Sequence, residues 1–579
     1  MENRQQAWKI SIYVAIKTEN QKTDSRIEKL LNIVQLKSVD RVIIYKVINL
    51  STIGGIMHKK TLFLVLFLAM FASVFALEIK IDVSKDRSPI SPYIYGTNQD
   101  IARDANITAR RFGGNRTTGY NWENNASNAG NDWKHFSDNW LSENWGMPGD
   151  FDKPGALLKH FHQKSKNLNA YSIVTLPLAG YVARDKNGEV GLNDKAPSGR
   201  WAEVVFRKEG ELSLNPNTWD DKVYLDEQVN FLIHTFGTAD KGGVNAYALD
   251  NEPDLWASTH PRIHPNKVTV EEYISKSVSV SARVKELDPY AEIFGPASYG
   301  FNGFHKFQDA PDWYKQAWTH EWFLAYYLDR MKQASDAAGK RLLDVLAIHW
   351  YPEARGSAGR IVFNKENAAA NSPARVQAPR SFWDKDYTES SWICDSGHCP
   401  LRLIPRVKEM IDKYNPGTKL AFTEYDFGGG SHISGGLAQA DVLGVFGKHG
   451  VYLATYWMDE WGQFTYAGFR LFRNYDGNKS VFGDTSVRAE NPDREKLSVY
   501  ASVDSEKNST HAVIINKSEE PVKGLKLSVR GGAGISSAEA WGFDAADSKI
   551  TKRAGFENIK GNTVSVDMPA LSAYHVVMK

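Results

Sequence analysis

Eight short apolar runs recur along this chain, each separated from the next by a polar or helix-like stretch, and that rhythm constrains the fold more than anything else in it. The runs cover residues 92–98, 109–114, 171–177, 246–252, 293–297, 345–350, 420–424 and 453–458. Residues 270–287 and 405–414 read as helices between them, the second opening on a proline, where helices often start. Strands that alternate with helices build a parallel sheet, and eight of them predict an α/β fold of the closed (β/α)8, or TIM, barrel type.

After about residue 480 the texture changes. Runs at 497–503, 512–516, 525–529 and 573–577 are short, β-prone and parted by polar or Gly-containing turns, which predicts a small C-terminal antiparallel β-sandwich. No Ser/Pro-rich linker precedes it, so a brace for the barrel is expected rather than a detached sugar-binding module. The expected organisation is a first mature segment at 77–95 that can join the sandwich, a barrel at 96–480 and the sandwich at 481–579.

The chain upstream of residue 77 belongs to neither. Met57-His58-Lys59-Lys60 precedes an uncharged run from Thr61 to Leu77 with small residues at Val74 and Ala76. A basic start, an apolar centre and that ending predict a secretory signal peptide at 57–76, cleaved after Ala76, and hence an extracellular protein with no membrane attachment. The run is short and wrongly flanked for a membrane span, and a retained N-terminal anchor is the alternative reading. Residues 1–56 are then expected to be a non-native upstream extension, with translation beginning at Met57. They carry nine Lys/Arg and five Asp/Glu, and Lys59 and Lys60 add two more charges, so the overall +2 becomes about −4 for the mature chain. A nucleic-acid partner would want a concentrated basic face, which this balance argues against; a neutral substrate suits it.

Two of the apolar runs deliver a glutamate at their C-terminal end: Glu252 after 246–251 and Glu424 after 420–423. Pro253 disfavours helical backbone at Glu252 and predicts an extended conformation there, while Gly428-Gly429-Gly430 permits a tight turn beyond Glu424. Strands four and seven stand three steps apart around an eight-stranded barrel, so both carboxylates face each other across the C-terminal mouth, where barrel active sites lie. Two carboxylates so placed are the minimum apparatus for hydrolysing a glycosidic bond, one as proton donor and one as nucleophile. Asn251 is positioned to donate to a sugar hydroxyl, and Arg111 on strand two to keep the nucleophile charged. Asp250 and Asp426 are expected to be structural, because strand alternation turns neighbours to opposite sides. The loop-like stretch 353–400 is expected to form one wall of a cleft.

Sugar rings pack on aromatic planes. Trp122, Trp256, Trp350, Trp392, Trp457 and Trp461 lie near strand ends, and Trp457, then Trp122 and Trp392, are the candidate platforms, with core packing as the alternative role. His349, at the end of strand six, is expected to hydrogen-bond substrate or to be a satisfied structural histidine. Arg111, Asn115 and Tyr425 complete the expected substrate-binding set. The only two cysteines, Cys394 and Cys399, are predicted to close a small disulfide loop; a zinc site with His398 is the alternative and lacks a fourth ligand.

Four longer motifs go beyond generic strand ends. Ile90–Gly96, Gly113–Asn125, Asp250–Trp256 and Phe422–Gly429 closely resemble glycoside hydrolase family 44, with the similarity running from about Leu77 to Lys579. The resemblance implies a β/α barrel with a β-sandwich built from the C-terminal region and the first mature segment. It implies retention of anomeric configuration, with Glu252 as acid/base and Glu424 as nucleophile, and endo-acting cleavage of β-1,4-glucans including soluble cellulose derivatives and xyloglucan. No cofactor is then needed for catalysis, although a structural calcium ion, whose ligands the sequence does not identify, accompanies the fold in some members. A monomer is expected. The rivals are a related barrel hydrolase for mannan or xylan and a non-catalytic glycan-binding protein on the same fold.

Overall fold

The computed structural model describes residues 77–579 apart from 102, 459–461, 558 and 560, together with the antiparallel pair Ser38–Val39 and Val42–Ile43. The expected signal peptide and the rest of the upstream extension lie outside the described residues, as does Trp461. Eight strands form a closed barrel: β1 (Tyr93–Thr97), β2 (Ala109–Phe112), β3 (Tyr171–Leu176), β4 (Ala246–Leu249), β5 (Glu292–Ser298), β6 (Val345–Trp350), β7 (Lys419–Tyr425) and β8 (Leu453–Tyr456). Every neighbouring pair is parallel, and β8 returns to β1. Parallel strands are covered on both faces and therefore read as unbroken apolar runs, which is why all eight stood out in the sequence. The inward layer is built from Ala109, Ile173, Ala246, Ala248, Phe294, Val345, Ala347, Ala421 and Leu453, a mixture of small and large side chains that fills the interior.

Helices cover the outside. Val270–Leu287 matches its sequence expectation and opens on an N-cap, with the Thr269 hydroxyl accepting from the Glu272 amide. The helix Leu403–Tyr414 begins two residues earlier than expected, so that Pro405 falls within its first turn, where no intrahelical N–H is needed. The helix Ile433–Lys448 is buried along almost its whole length, because the barrel lies on one side of it and the sandwich on the other.

The sandwich strands Leu497–Asp504, Ser509–Asn516, Val522–Arg530 and Ser572–Met578 contain the four expected runs. Thr485–Glu490, Ser537–Asp544, Asp547–Glu557 and Thr563–Met568 add to them. Thr485–Glu490 pairs with Leu497–Asp504 through its first half and with Glu78–Asp82 through its second, so it passes from one layer to the other. Two details depart from expectation. Glu78–Asp82 runs parallel to Val522–Arg530 within an otherwise antiparallel arrangement. The 77–95 segment also does not belong wholly to the sandwich: Tyr93–Thr97 is the first barrel strand, and the change of domain falls between Pro89 and Tyr93.

Barrel and sandwich belong to one compact unit. Tyr500 and Phe543 from the sandwich share an apolar core with Leu443 and Phe464 of the barrel helices. Tyr500 also donates to the Asp441 carboxylate. Gly444 permits this approach, since a Cβ there would stand 2.1 Å from the Tyr500 ring. Among the described residues, no helix is long and apolar enough to cross a membrane.

Candidate active site

Glu252 and Glu424 meet over the barrel mouth. Together with His349 they bring donor atoms within 4.8 Å of one another, the one such group of His, Cys, Asp or Glu side chains among the described residues. β6 and β7 set this up by pairing His349 directly with Glu424 across a register shift after Ile348. Glu424 is 4% exposed. Its Oε1 accepts from Arg111 Nη1 (2.8 Å) and its Oε2 from the Tyr351 hydroxyl (2.8 Å), so both oxygens are fixed. Arg111 is fully buried and also donates to Asn98 Oδ1 (3.1 Å) and Asn251 Oδ1 (2.8 Å), linking β2 to the ends of β1 and β4.

Glu252 has a different environment. Its Oε1 lies 2.9 Å from His349 Nδ1, and burial pushes its carboxyl up to about 7, an effect that Arg111 opposes and Asp132 reinforces. Burial pushes the His349 imidazole down to about 3, so the ring is neutral. Its Nδ1 faces oxygens of both glutamates, at 2.9 and 3.6 Å, and therefore carries the proton; Nε2 is buried without a partner. This N–H holds Oε1 of Glu252 and leaves the second oxygen to carry an exchangeable proton. Two carboxyls within reach of one bound molecule, one buried into the neutral range and one ion-paired, make a proton donor and a nucleophile.

The backbone at Glu252 overturns the extended expectation. It is left-handed, with φ +44° and ψ 56°, and caps the short 3-10 turn Pro253–Leu255. A proline disfavours the right-handed helical basin for its predecessor, and here the Glu252 amide donates to Ala297 O (3.0 Å) and holds the left-handed alternative. Gly428 and Gly429 take the positive φ that the turn after Glu424 was expected to need. Asp250 is buried, taking hydrogen bonds from Thr118, Leu178 N and Asn251 N, and Asp426 accepts from Gly428 N; neither lines the cleft.

Around the pair lies a cleft of about 960 Å³, at the upper end for small-molecule sites. Asn115, Asn251, Trp392 and Trp457 line it, as does Trp350. Asn115 accepts from Asn251 Nδ2 (3.2 Å). Gly114 leaves room for the Trp457 ring, which a Cβ would meet at 2.4 Å. Four expected contacts are not presented to a substrate, the first being Arg111, which is fully buried with its Nη atoms on Asn98, Glu424 and Asn251. Trp122 is fully buried, its indole N–H donating to Tyr224 O and its ring packed on Phe231, so no face is left for a sugar. Tyr425 points outward from β7 because Glu424 points inward; its hydroxyl accepts from Gln439. His349 is fully buried and touches the carboxylates instead.

The sequence reading missed Tyr351, Asn98, Tyr299, Glu353, Phe363 and the exposed Trp133 and Trp140, of which all but Asn98 line the cleft. Tyr351 stands two residues after His349, so strand alternation would have found it. Trp133 ends the short 3-10 turn Gly130–Trp133 and Trp140 opens the short helix Trp140–Asn144, elements too brief to leave a periodic signal. The 353–400 wall contributes through Glu353, Arg360, Phe363 and Trp392. Cys394 and Cys399 form a disulfide, which leaves no thiolate for zinc.

Cation binding has two places to consider. At Glu252–His349–Glu424 the Arg111 guanidinium already neutralises one carboxylate and opposes a cation. Elsewhere, Glu123 is buried, and burial plus the negative charges of Asp220 and Glu227 push it up to about 8. Glu227 is itself buried, with Oε1 paired to Lys208 and Oε2 without a partner. Lys208 already neutralises Glu227, and these carboxyls do not bring donor atoms together as Glu252, His349 and Glu424 do, so among the described residues they do not form a ready cage for a hard cation such as calcium.

A model of glycoside hydrolase family 44 matches residues 126–354. The chain is 51% identical over 503 residues to endoglucanase A of Paenibacillus lautus, an alignment that covers 86% of this chain and 72% of that protein. It is 49% identical over 507 residues to the beta-mannanase/endoglucanase A of Caldicellulosiruptor saccharolyticus, covering 85% of this chain but only 38% of that protein. Among solved structures it is similar to a xyloglucanase of the same family from Paenibacillus polymyxa, determined with xyloglucan. The TM-score is 0.84 at 49% identity, covering 87% of this chain and 99% of that one.

Proposed function

This chain belongs to glycoside hydrolase family 44 and is a glycoside hydrolase, and we propose that it is a secreted, retaining endo-β-1,4-glucanase acting on soluble cellulose derivatives and xyloglucan. The observation that carries this reading is the convergence of Glu252 and Glu424 within 4.8 Å across an open cleft, a separation of the order that double displacement uses, about 5–5.5 Å. In the first step protonated Glu252 gives its proton to the glycosidic oxygen while Glu424 attacks the anomeric carbon, and the bond to the leaving sugar breaks. Glu252, now ionised, takes a proton from water, whose oxygen displaces Glu424. Arg111 and Tyr351 hold the attacking carboxylate in line, and His349 keeps one oxygen of Glu252 turned away from the substrate.

The name of the Caldicellulosiruptor relative favours a second reading, mannan hydrolysis, on the same two carboxylates. Reducing-end release from carboxymethylcellulose, xyloglucan, lichenan, mannan and xylan separates the two, and an early fall in viscosity identifies endo action. Activity on xylan or mannan alone refutes the glucanase reading, and inactivity on the whole panel leaves the glycan-binding rival.

Secretion predicts a mature N-terminus at Leu77, read by sequencing protein from the culture medium, and a monomer on gel filtration. A structural calcium ion is the remaining expectation, and Glu123, buried beside the negative charges of Asp220 and Glu227, is where its loss would be felt first. Chelation by EGTA is then expected to lower Tm, with Glu123→Gln abolishing that response; a Tm indifferent to EGTA refutes the site.

A further inference from the structure

The Cys394–Cys399 disulfide stands apart from the carboxylates, yet it closes the segment that carries one wall of the cleft. Trp392, which lines the cleft, opens the single helical turn Trp392–Asp395. One turn of helix is far below the length that holds itself together. Within the turn, Ser391 Oγ accepts from Cys394 N (3.3 Å) and Ile393 is fully buried. Residues 395–397 then stand out in solvent, with Gly397 at φ +82°. The chain comes back to the wall at His398 and Cys399.

That return matters because of Phe301. Its ring, also part of the cleft lining, meets the Trp392 ring edge-on at 5.9 Å and His398 at 5.0 Å. Trp322 packs against the same ring at 5.2 Å, and His305 lies 4.9 Å from His398. Both arms of the disulfide loop therefore grip one aromatic ring from the neighbouring β5 loop, and the covalent bond fixes the arms relative to each other. Without it the returning arm is free to leave Phe301, and the ring that Trp392 meets edge-on loses one of the contacts that hold it.

We infer that the Cys394–Cys399 disulfide is a positioning element for substrate, holding Trp392 in a pre-set plane so that a glucan chain meets an ordered platform. The inference rests on the glucan reading above. Immobilising one rotamer-rich side chain on binding, rather than beforehand, weakens affinity by about two- to tenfold.

The test is a double-mutant cycle on a glucan that the wild-type protein hydrolyses. Cys394→Ser/Cys399→Ser is expected to raise KM about two- to tenfold with kcat unchanged. In a Trp392→Ala background, the same pair of substitutions is expected to leave KM where Trp392→Ala alone puts it. Additive effects of the two changes, or an unchanged KM on losing the disulfide, overturn the inference. His398→Ala keeps the disulfide and removes one contact to Phe301; it is expected to raise KM with the same dependence on Trp392, and an unchanged KM there also counts against the inference. Failure of the wild-type chain on every glucan would instead refute the proposed function, so the two failures are distinct.

Discussion

Replacing Glu252 with glutamine is expected to stabilise the protein while disabling it, and the stabilisation should depend on pH. The Glu252 side chain is 12% exposed, and burial pushes it from the ordinary 4.5 up to about 7. That difference corresponds to about 3 kcal/mol, at about 1.4 kcal/mol per unit. The native state thus holds a proton that the unfolded chain releases between pH 4.5 and 7. The associated stability is complete below pH 4.5 and is lost as pH rises through 7. Glutamine is neutral throughout, and its amide oxygen still accepts from His349 Nδ1. The Tm of Glu252→Gln should equal that of wild type near pH 4.5 and exceed it at pH 8. With about 2 cal/mol/K of unfolding entropy per residue over roughly 500 residues, one degree is worth about 1 kcal/mol, so the expected excess is about 3 °C. Scanning calorimetry of both proteins from pH 4.5 to 8.5 measures it. Turnover should fall by at least about 10²–10⁴-fold, because the variant has no proton to give. A Tm difference that stays flat with pH would refute the claim that burial tunes Glu252.

Glu424→Gly should lose turnover by several orders of magnitude and recover part of it with external azide, giving a glycosyl azide of inverted configuration; a retained configuration removes Glu424 as nucleophile. Asp250→Asn should keep more activity than Asp250→Ala, since asparagine tolerates φ +65° and can still accept from the Asn251 amide; equal activities would show that the Asp250 bonds do not position its neighbours. In the sandwich, His511 Nδ1 and His575 Nε2 are 2.9 Å apart, and His575 Nδ1 donates to Leu471 O of a barrel helix. Burial pushes His511 down to about 4 and His575 well below its usual value, with Lys507 and Lys579 acting in the same sense and Asp484 and Asp476 against it. Their stability is complete above pH 6.5 and is lost as pH falls toward 4. His511→Asn/His575→Gln should flatten the Tm profile over that interval, and an unchanged slope refutes the assignment.

The barrel was legible because each strand is covered on both sides: Val345–Trp350 and Tyr171–Leu176 are buried at every position. The convergence of Glu252 and Glu424 followed from counting strands. What the sequence hid depends on contacts between distant segments. Asp547–Glu557 is an edge strand paired on one side and exposed along most of its length, so its Lys, Thr and Arg residues carry no apolar signal. Trp122 and Trp133 lie eleven positions apart in one loop region, one fully buried and the other 60% exposed, and nothing in their composition tells them apart. Tyr425 was misplaced by reading a motif as a surface when its strand parity already turned it outward.

The left-handed backbone around Glu252 resolves a geometric conflict in the site. An extended strand turns consecutive side chains to opposite faces, so Asn251 and Glu252 could not both address one cleft. Here Asp250 stands at φ +65° and Glu252 at φ +44°, and both Asn251 and Glu252 line the cavity. Non-glycine residues in that region cost about 1–3 kcal/mol each. The surroundings over-determine them: Asp250 N donates to Leu176 O, its carboxylate takes three hydrogen bonds, and Glu252 N donates to Ala297 O. The same few residues also carry the buried charge of Arg111 and the unpartnered Nε atoms of Arg111 and His349. Backbone strain, desolvated charge and unmet hydrogen bonds thus gather where β4, β6 and β7 end, and the closed barrel beneath supplies the rigidity that keeps them there. A neutral, unstrained sequence at 250–252 would fold more stably and would leave either Asn251 or Glu252 facing away from the cleft.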